Sequence, residues 1–253
     1  MKNITLITPT GDRPLAFALC QRWIKNQTMK AFQWIVVDDG KVPMKPYVPM
    51  QYVRREPQPN DPKCTLTLNL KVAFSLIKGD KIIIIEDDEY YAPKYVEKIS
   101  NQLDKHELVG IGNTKYYHLF SGGNYRHGNF YRASLAQTAF RRTFLALLGQ
   151  IVNENIGVAL IDSVIWRHTE RWKGGCGFVF VDENNDPLYV GIKGLPGRLG
   201  IIGHRPQETN YRTFDKSQTL LKQWIPKQED YNIYMAIITK KLTEENYQSW
   251  LKI

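Results

Sequence analysis

Cysteine is scarce. The 253 residues hold three, Cys20, Cys64 and Cys176, far apart and odd in number. No disulfide framework and no Cys-x-x-Cys metal pattern follows, and a reducing compartment is the simplest reading. A long unbroken apolar run is also missing. The longest, residues 144–161, is interrupted by Gln150, Asn153, Glu154 and Asn155, which excludes a membrane span there. The chain opens Met1-Lys2-Asn3 and passes directly into a strand-like run. It shows neither the apolar core nor the small-residue cleavage site of an export signal, so a soluble, cytoplasmic protein is expected. No period of about 20–50 residues recurs, which excludes solenoids and propellers. Two stretches, 108–153 and 187–207, contain no acid at all.

What is present is ordinary for a globular protein. Hydrophobic residues make up 43% and charged residues 23%, which excludes wholesale disorder. Thirty-four Lys and Arg face 25 Asp and Glu, a net charge of +9 that favours a polyanionic partner. The length suits one large domain or two small ones, and no clear linker separates the halves. A single domain over 1–253 is expected, with a decorated C-terminal half.

The first hundred residues alternate two periods. Residues 3–8 and 33–37 are short, apolar and β-branched, and residues 82–85 are four isoleucines. Each reads as a buried strand. Pro14 suits the first turn of a helix whose apolar face is Leu15, Leu19 and Trp23. Helices are also predicted over 66–77, stopped by Gly79, and after Pro93. A short strand is expected at Tyr52-Val53 and another at 108–111. Strands separated by helices imply βαβ units, an α/β fold with a mostly parallel sheet flanked by helices. The second half predicts strands at 158–161, 177–181 and 188–190, a glycine-rich loop over 195–203 and a helical tail from 231 to 253.

The strongest chemical signal is Glu86-Asp87-Asp88-Glu89, directly after the isoleucines. Acid at the end of a buried parallel strand lies at the carboxyl edge of the sheet, where open α/β sheets bind ligands. Like charges so close invite a divalent cation, and hard oxygen ligands favour magnesium or manganese. The alternative is a solvated acidic turn. Asp38-Asp39-Gly40 is a second acid pair at a second strand end, and residues 8–13 add hydroxyls, a glycine and an arginine. Together they suit a nucleotide diphosphate held with a metal.

The order Thr8-Pro9-Thr10-Gly11-Asp12-Arg13-Pro14, Val36-Val37-Asp38-Asp39-Gly40 and Ile84-Ile85-Glu86-Asp87-Asp88 resembles the nucleotide-sugar half of GT-A fold glycosyltransferases, particularly the family 2-like group. The resemblance covers about residues 3–113. It implies a GT-A-like (Rossmann-like) fold, with 1–113 holding the donor and 114–253 the acceptor. It also implies a nucleoside-diphosphate sugar, a UDP-sugar first, and Mn2+ or Mg2+. Thr8, Pro9, Thr10 and Arg13 then resemble the first nucleotide-contacting loop. Asp39, or its neighbour Asp38, resembles the acid that hydrogen-bonds the base. Glu86, Asp87 and Asp88 resemble the Asp-x-Asp motif, with Asp88 the first candidate for direct metal ligation. Glu86 stands where the pattern has Asp, which leaves open whether Glu86 or Asp87 faces the sugar. His204 resembles a histidine that such enzymes often use as another metal or diphosphate contact.

Sugar transfer puts negative charge on the departing diphosphate, and fixed donors such as Arg13 or Lys193 would stabilise it. Arg198 and Arg205 add basic side chains to the glycine-rich loop, whose backbone can approach phosphate closely. An inverting reaction needs a carboxylate base for the acceptor hydroxyl. Asp182, with Glu183, and Asp162 are the candidates, each expected at a strand end. Between 108 and 153, Lys115, Arg126, Arg132, Arg141 and Arg142 interleave with Tyr116, Tyr117, Phe120, Tyr125, Phe130, Tyr131, Phe140 and Phe144. Cations with rings suit nucleic acid, although the same pattern arises from a basic loop beside a core helix. Some phage-type glycosyltransferases sugar hydroxymethylated pyrimidines in DNA, and this basic chain is similar in character. Double-stranded DNA with modified bases is therefore the favoured acceptor. A saccharide or small molecule is the close alternative, and a non-catalytic nucleic-acid-binding protein on the same scaffold is the rival from another class.

Overall fold

The isoleucines at 82–85 divide between two cores. Ile83 and Ile85 face one apolar cluster, and Ile82 and Ile84 face another. A strand buried on both faces has no room for alternating polar residues, so it reads as a continuous apolar run. The computed structural model describes residues 3–129, 131–170, 177–182, 187–199, 211 and 213–251.

The chain begins with β1 (Ile4–Thr10), α1 (Pro14–Lys25), β2 (Gln33–Asp38), β3 (Gln51–Arg54), α2 (Leu66–Phe74) and β4 (Lys81–Ile84). It continues through β5 (Tyr90–Tyr91), α3 (Tyr95–Gln102), β6 (Leu108–Ile111), β7 (Asn113–His118), β8 (Gly123–Gly128) and β9 (Ala139–Arg141). Then follow α4 (Leu145–Glu154), α5 (Ile161–Glu170), β10 (Gly177–Phe180), β11 (Tyr189–Lys193), β12 (Thr213–Phe214), α6 (Thr219–Trp224), α7 (Gln228–Ile238) and α8 (Tyr247–Trp250).

Seven strands form the main sheet in the order β10-β6-β9-β4-β1-β2-β3. Only β9 runs antiparallel to its neighbours. The carboxyl ends of β1, β2 and β4 therefore share one edge. Leu15, Leu19 and Trp23 of α1 and Val96 and Ile99 of α3 cover one face, joined by Tyr234 and Ile237 of α7. Leu70 and Phe74 of α2, Leu148 and Ile151 of α4, and Ile165 and Trp166 of α5 cover the other. A second sheet has the order β12-β8-β7-β11-β5, its strands interleaved along the chain with those of the first. In it β11 lies parallel to β7 and antiparallel to β5.

The α/β reading of the first half matches the structure element for element, apart from the two-residue β5. The second half needs corrections. Residues 158–161 are not a strand: Ile161 opens α5, and Ile161 and Ile165 lie one helical turn apart on its buried face. Asp162 therefore sits in the first turn of a helix, where an acid favours the helix dipole, and not at a strand end. Strands β7 and β8 form a hairpin unmarked by apolar alternation, because Asn113, Lys115, Asn124 and Arg126 occupy it. The expected helical tail over 231–253 is instead two helices, Gln228–Ile238 and Tyr247–Trp250, separated by residues 239–246.

Helix α7 is anchored by rings. Tyr234 is fully buried, stacks on Trp23 at 5.9 Å between centroids and meets Tyr90 edge-on at 6.2 Å. Tyr234→Ala should cost about 3–5 kcal/mol of stability by urea unfolding. A loss below about 1 kcal/mol would mean that α7 does not unfold with the core.

Candidate functional site

Three turns converge at the shared edge of β1, β2 and β4. The first is Gly11-Asp12-Arg13, where Asp12 takes a left-handed φ of 55° and its Oδ1 accepts the Lys41 N–H at 2.6 Å. A Cβ on Gly11 would overlap Asp39 Oδ1 and lie 2.7 Å from the Arg198 guanidinium. Only glycine fits between those groups. The second turn is Asp38-Asp39-Gly40. The third is the segment after β11, where Gly197 has φ +106° and the Arg198 N–H donates to the Asp12 carbonyl at 3.0 Å.

The acidic run leaves β4 into this junction, and each carboxylate has its own surroundings. Asp87 accepts from Thr10 Oγ1 at 2.6 Å and pairs with Arg13 at 2.9 Å. Asp88 takes the other Arg13 nitrogen at 2.5 Å. Glu89 accepts Lys193 Nζ at 2.7 Å and the Ile192 N–H at 2.5 Å. Carboxylate oxygens of Glu86, Asp88 and Glu89 lie within 4.8 Å of one another. Burial, then the charges of Asp88 and Glu89, pushes the Glu86 carboxyl up to about 8. Burial likewise raises Glu89 to about 7 against the pull of Lys193, and Asp87 to about 6 against the pull of Arg13. Arg13 and Lys193 lose by desolvation, yet the acids they face hold both charged, above their ordinary ranges.

Four acids against two buried cations leave an excess of negative charge. Burial and the charges beside it favour the protonated form of Glu86. The donor set is hard oxygen, so a magnesium- or manganese-sized ion fits the same place. Glu86, Asp88 and Glu89 would hold it.

The two acids after β2 differ sharply. Asp38 accepts the Gly40 and Met44 N–H groups at 2.8 Å each and the Tyr52 hydroxyl at 2.5 Å. It organises the loop that leaves β2. Asp39 accepts from Arg55 and from Arg198, both at 2.8 Å. Burial raises its carboxyl, but hydrogen bonds from Thr65, Arg55 and Arg198 outweigh it and hold the group below the ordinary range.

The structure brings Thr10, Arg13, Asp39, Glu86, Asp87, Asp88, Lys193 and Arg198 to this junction. Thr8 and Pro9 stand inside β1 instead of in its loop, paired with Val36 and Val37. The Thr8 hydroxyl is wholly buried and accepts the Trp34 indole N–H at 3.0 Å, so its side chain serves the core. Asp182 lies on the same sheet edge but three strand spacings from β4, roughly 14 Å. It is buried, and its Oδ2 accepts the Leu188 N–H at 2.6 Å while Asn113 brackets its backbone. Asp162 is set apart on α5, where burial raises its carboxyl. Glu183, His204 and Arg205 lie outside the described residues.

Sequence reasoning left Arg55 unassigned and kept Glu89 out of the candidate ligands. Glu89 stands in the acidic run after β4, and that was a usable signal. Arg55 carries none, because the acid it brings into the site, Asp39, is 16 residues away at the end of a different strand. The basic and aromatic stretch divides. Tyr117, Phe140 and Phe144 are core residues and Lys115 is buried, whereas Phe120 and Tyr131 are exposed. Arg126 lies over the Trp224 ring at 5.9 Å.

No protein-family model matches the chain, and no curated protein matches its sequence. Solved structures do match. One is the mannosyltransferase PcManGT from Pyrobaculum calidifontis in complex with GDP-Man and Mn2+, with a TM-score of 0.53, 14% identity and 77% of this chain covered. The fold is a glycosyltransferase fold. The chain spans 57% of the length of the PcManGT chain. S. aureus TarS 1-349 in complex with UDP-GlcNAc matches over 98% of this chain and 75% of its own, with a TM-score of 0.51 and 12% identity. No helix among the described residues is long and apolar enough to cross a membrane.

The raised carboxyls give stability a definite pH slope. Unfolded Glu titrates near 4.3, so between that value and the folded value of about 8 the folded Glu86 holds the extra proton. Its contribution is complete at low pH and is lost as pH rises towards 8. Glu86→Gln removes the ionisation, so urea unfolding should show the variant gaining stability on the wild type between pH 5.5 and 8. A pH-independent difference would contradict the burial of that charge.

Proposed function

We propose that this chain is a metal-dependent glycosyltransferase, moving a sugar from a nucleoside-diphosphate sugar to a hydroxyl acceptor. The reading rests on one observation above the others. Within a glycosyltransferase fold, the acids at the end of β4 cluster around one point, with Arg13 fixed beside them. A bound divalent ion there would supply Lewis-acid stabilisation to the departing diphosphate.

The chain's own residues divide the remaining work. Arg13 is held charged by Asp87 and Asp88 at the start of α1, so its guanidinium needs no reorganisation as negative charge develops. Asp39 is kept ionised and therefore acts as a hydrogen-bond acceptor for the donor's base. Arg198, which pairs with Asp39, brings a cation to the same junction from the segment after β11. Asp182 serves as a loop anchor in this proposal, because its carboxylate is committed to Leu188. The acceptor is assigned no further than a hydroxyl. A hydroxymethylated pyrimidine in DNA gains no support from the site: Tyr117, Phe140 and Phe144 of the basic, aromatic stretch are packed into the core, and its exposed residues Arg126, Arg132 and Arg142 are not among those gathered at the junction.

The test is a thermal-shift and calorimetric panel of UDP, GDP, UDP-GlcNAc and GDP-mannose, with and without manganese. Ligand at a hundredfold excess over its dissociation constant adds about 2.7 kcal/mol to the folded state. One nucleotide should give a manganese-dependent shift that Asp88→Asn abolishes. Asp39→Asn should weaken nucleotide binding by about 1–3 kcal/mol, the cost of an unmatched buried hydrogen bond. No shift with any nucleotide would overturn the proposal.

A further inference from the structure

The residue that closes the acidic run is not an acid. Tyr91 ends β5, and its hydroxyl returns to the first acid: the Glu86 N–H donates to Tyr91 Oη at 2.9 Å. The same hydroxyl donates to the Ala136 carbonyl at 3.2 Å. The ring is locked, meeting Tyr95 edge-on at 4.8 Å and Tyr189 at 5.5 Å. The Tyr91 backbone pairs with Tyr189 of β11, the strand whose Ile192 and Lys193 hold Glu89. Residues 86–91 thus form a closed loop, clasped at Glu86 by a hydroxyl and at Glu89 by a strand.

We propose that Tyr91 is a positioning residue for Glu86. Its hydroxyl fixes the Glu86 backbone and so aims that carboxylate at the point shared with Asp88 and Glu89. Residues 86–89, beyond the Ile85 N–H that still donates to the Ile7 carbonyl at 2.8 Å, lie in neither strand nor helix, and a glutamate has three side-chain torsions. A group that ligates a cation must sit within about 0.5 Å of its working position, which requires a fixed backbone beneath it. The Ala136 carbonyl does not need Tyr91, because Tyr95 Oη also donates to it, at 3.1 Å. The distinct contribution of the Tyr91 hydroxyl is therefore the bond to Glu86. This role rests on the donor-site reading above.

Tyr91→Phe keeps the ring and removes the hydroxyl. Tyr95→Phe is the matched control, since it removes the other hydroxyl on Ala136 without touching Glu86. Manganese binding, read from the free-ion paramagnetic resonance signal with and without UDP, should weaken about tenfold in Tyr91→Phe, as outer-sphere partners of ligands typically do. UDP affinity without metal should not change. Tyr95→Phe should lower the melting temperature comparably and leave manganese affinity within about twofold of wild type. Wild-type manganese affinity in Tyr91→Phe, or an equal loss in Tyr95→Phe, would overturn the role alone. A wild type that takes up no manganese would overturn the donor-site reading and this role with it.

Discussion

Four carboxylates enter a low-dielectric junction at the end of one buried strand, and the surrounding structure answers that cost. Desolvation penalises each ionised acid, and their mutual repulsion adds to it. Arg13 arrives from the turn after β1 and Lys193 from β11, with Thr10 and the Ile192 amide supplying hydrogen bonds. Two cations do not balance four acids. Burial and the neighbouring charges favour the protonated form of Glu86, and the hard-oxygen donor set would equally suit a divalent cation.

The same constraint explains how the second sheet joins the first. Strand β11 carries Lys193 to Glu89, and five residues later Arg198 reaches Asp39. One short segment therefore touches both the acidic run and the acid after β2. Gly194 and Gly197, both with left-handed φ, let it turn tightly enough to do so. Gly194 packs on the His118 ring, while Gly197 packs on Asp12 and Arg13. The positions of the acidic run and of Asp39 are thus coupled through six residues of chain, 193–198.

Much of the first half was legible in the sequence. Residues 82–85 announce a strand buried on both faces, and Pro14 with Leu15, Leu19 and Trp23 announces a helix, because those patterns are local and periodic. Acid directly after such a strand falls at the ligand-binding edge for a topological reason that needs no side-chain detail. The second half was harder. Strands β7 and β8 carry lysine, asparagine and arginine, and residues 158–161 are apolar without showing which period they follow. Their assignment depended on what packed against them.

The sequence by itself determined the fold class, the sheet edge and the residue types that gather there. Only the tertiary structure decided which acid does what. Asp38 and Asp39 are neighbours of identical chemistry, yet one accepts from backbone amides and Tyr52 and the other from two arginines. Asp87 and Glu89 are committed to Arg13 and Lys193, partners 74 and 104 residues distant. Local periodicity reports which side of an element is buried. It carries no record of the distant group that will meet a buried charge, and the state of that charge is set by the group it meets.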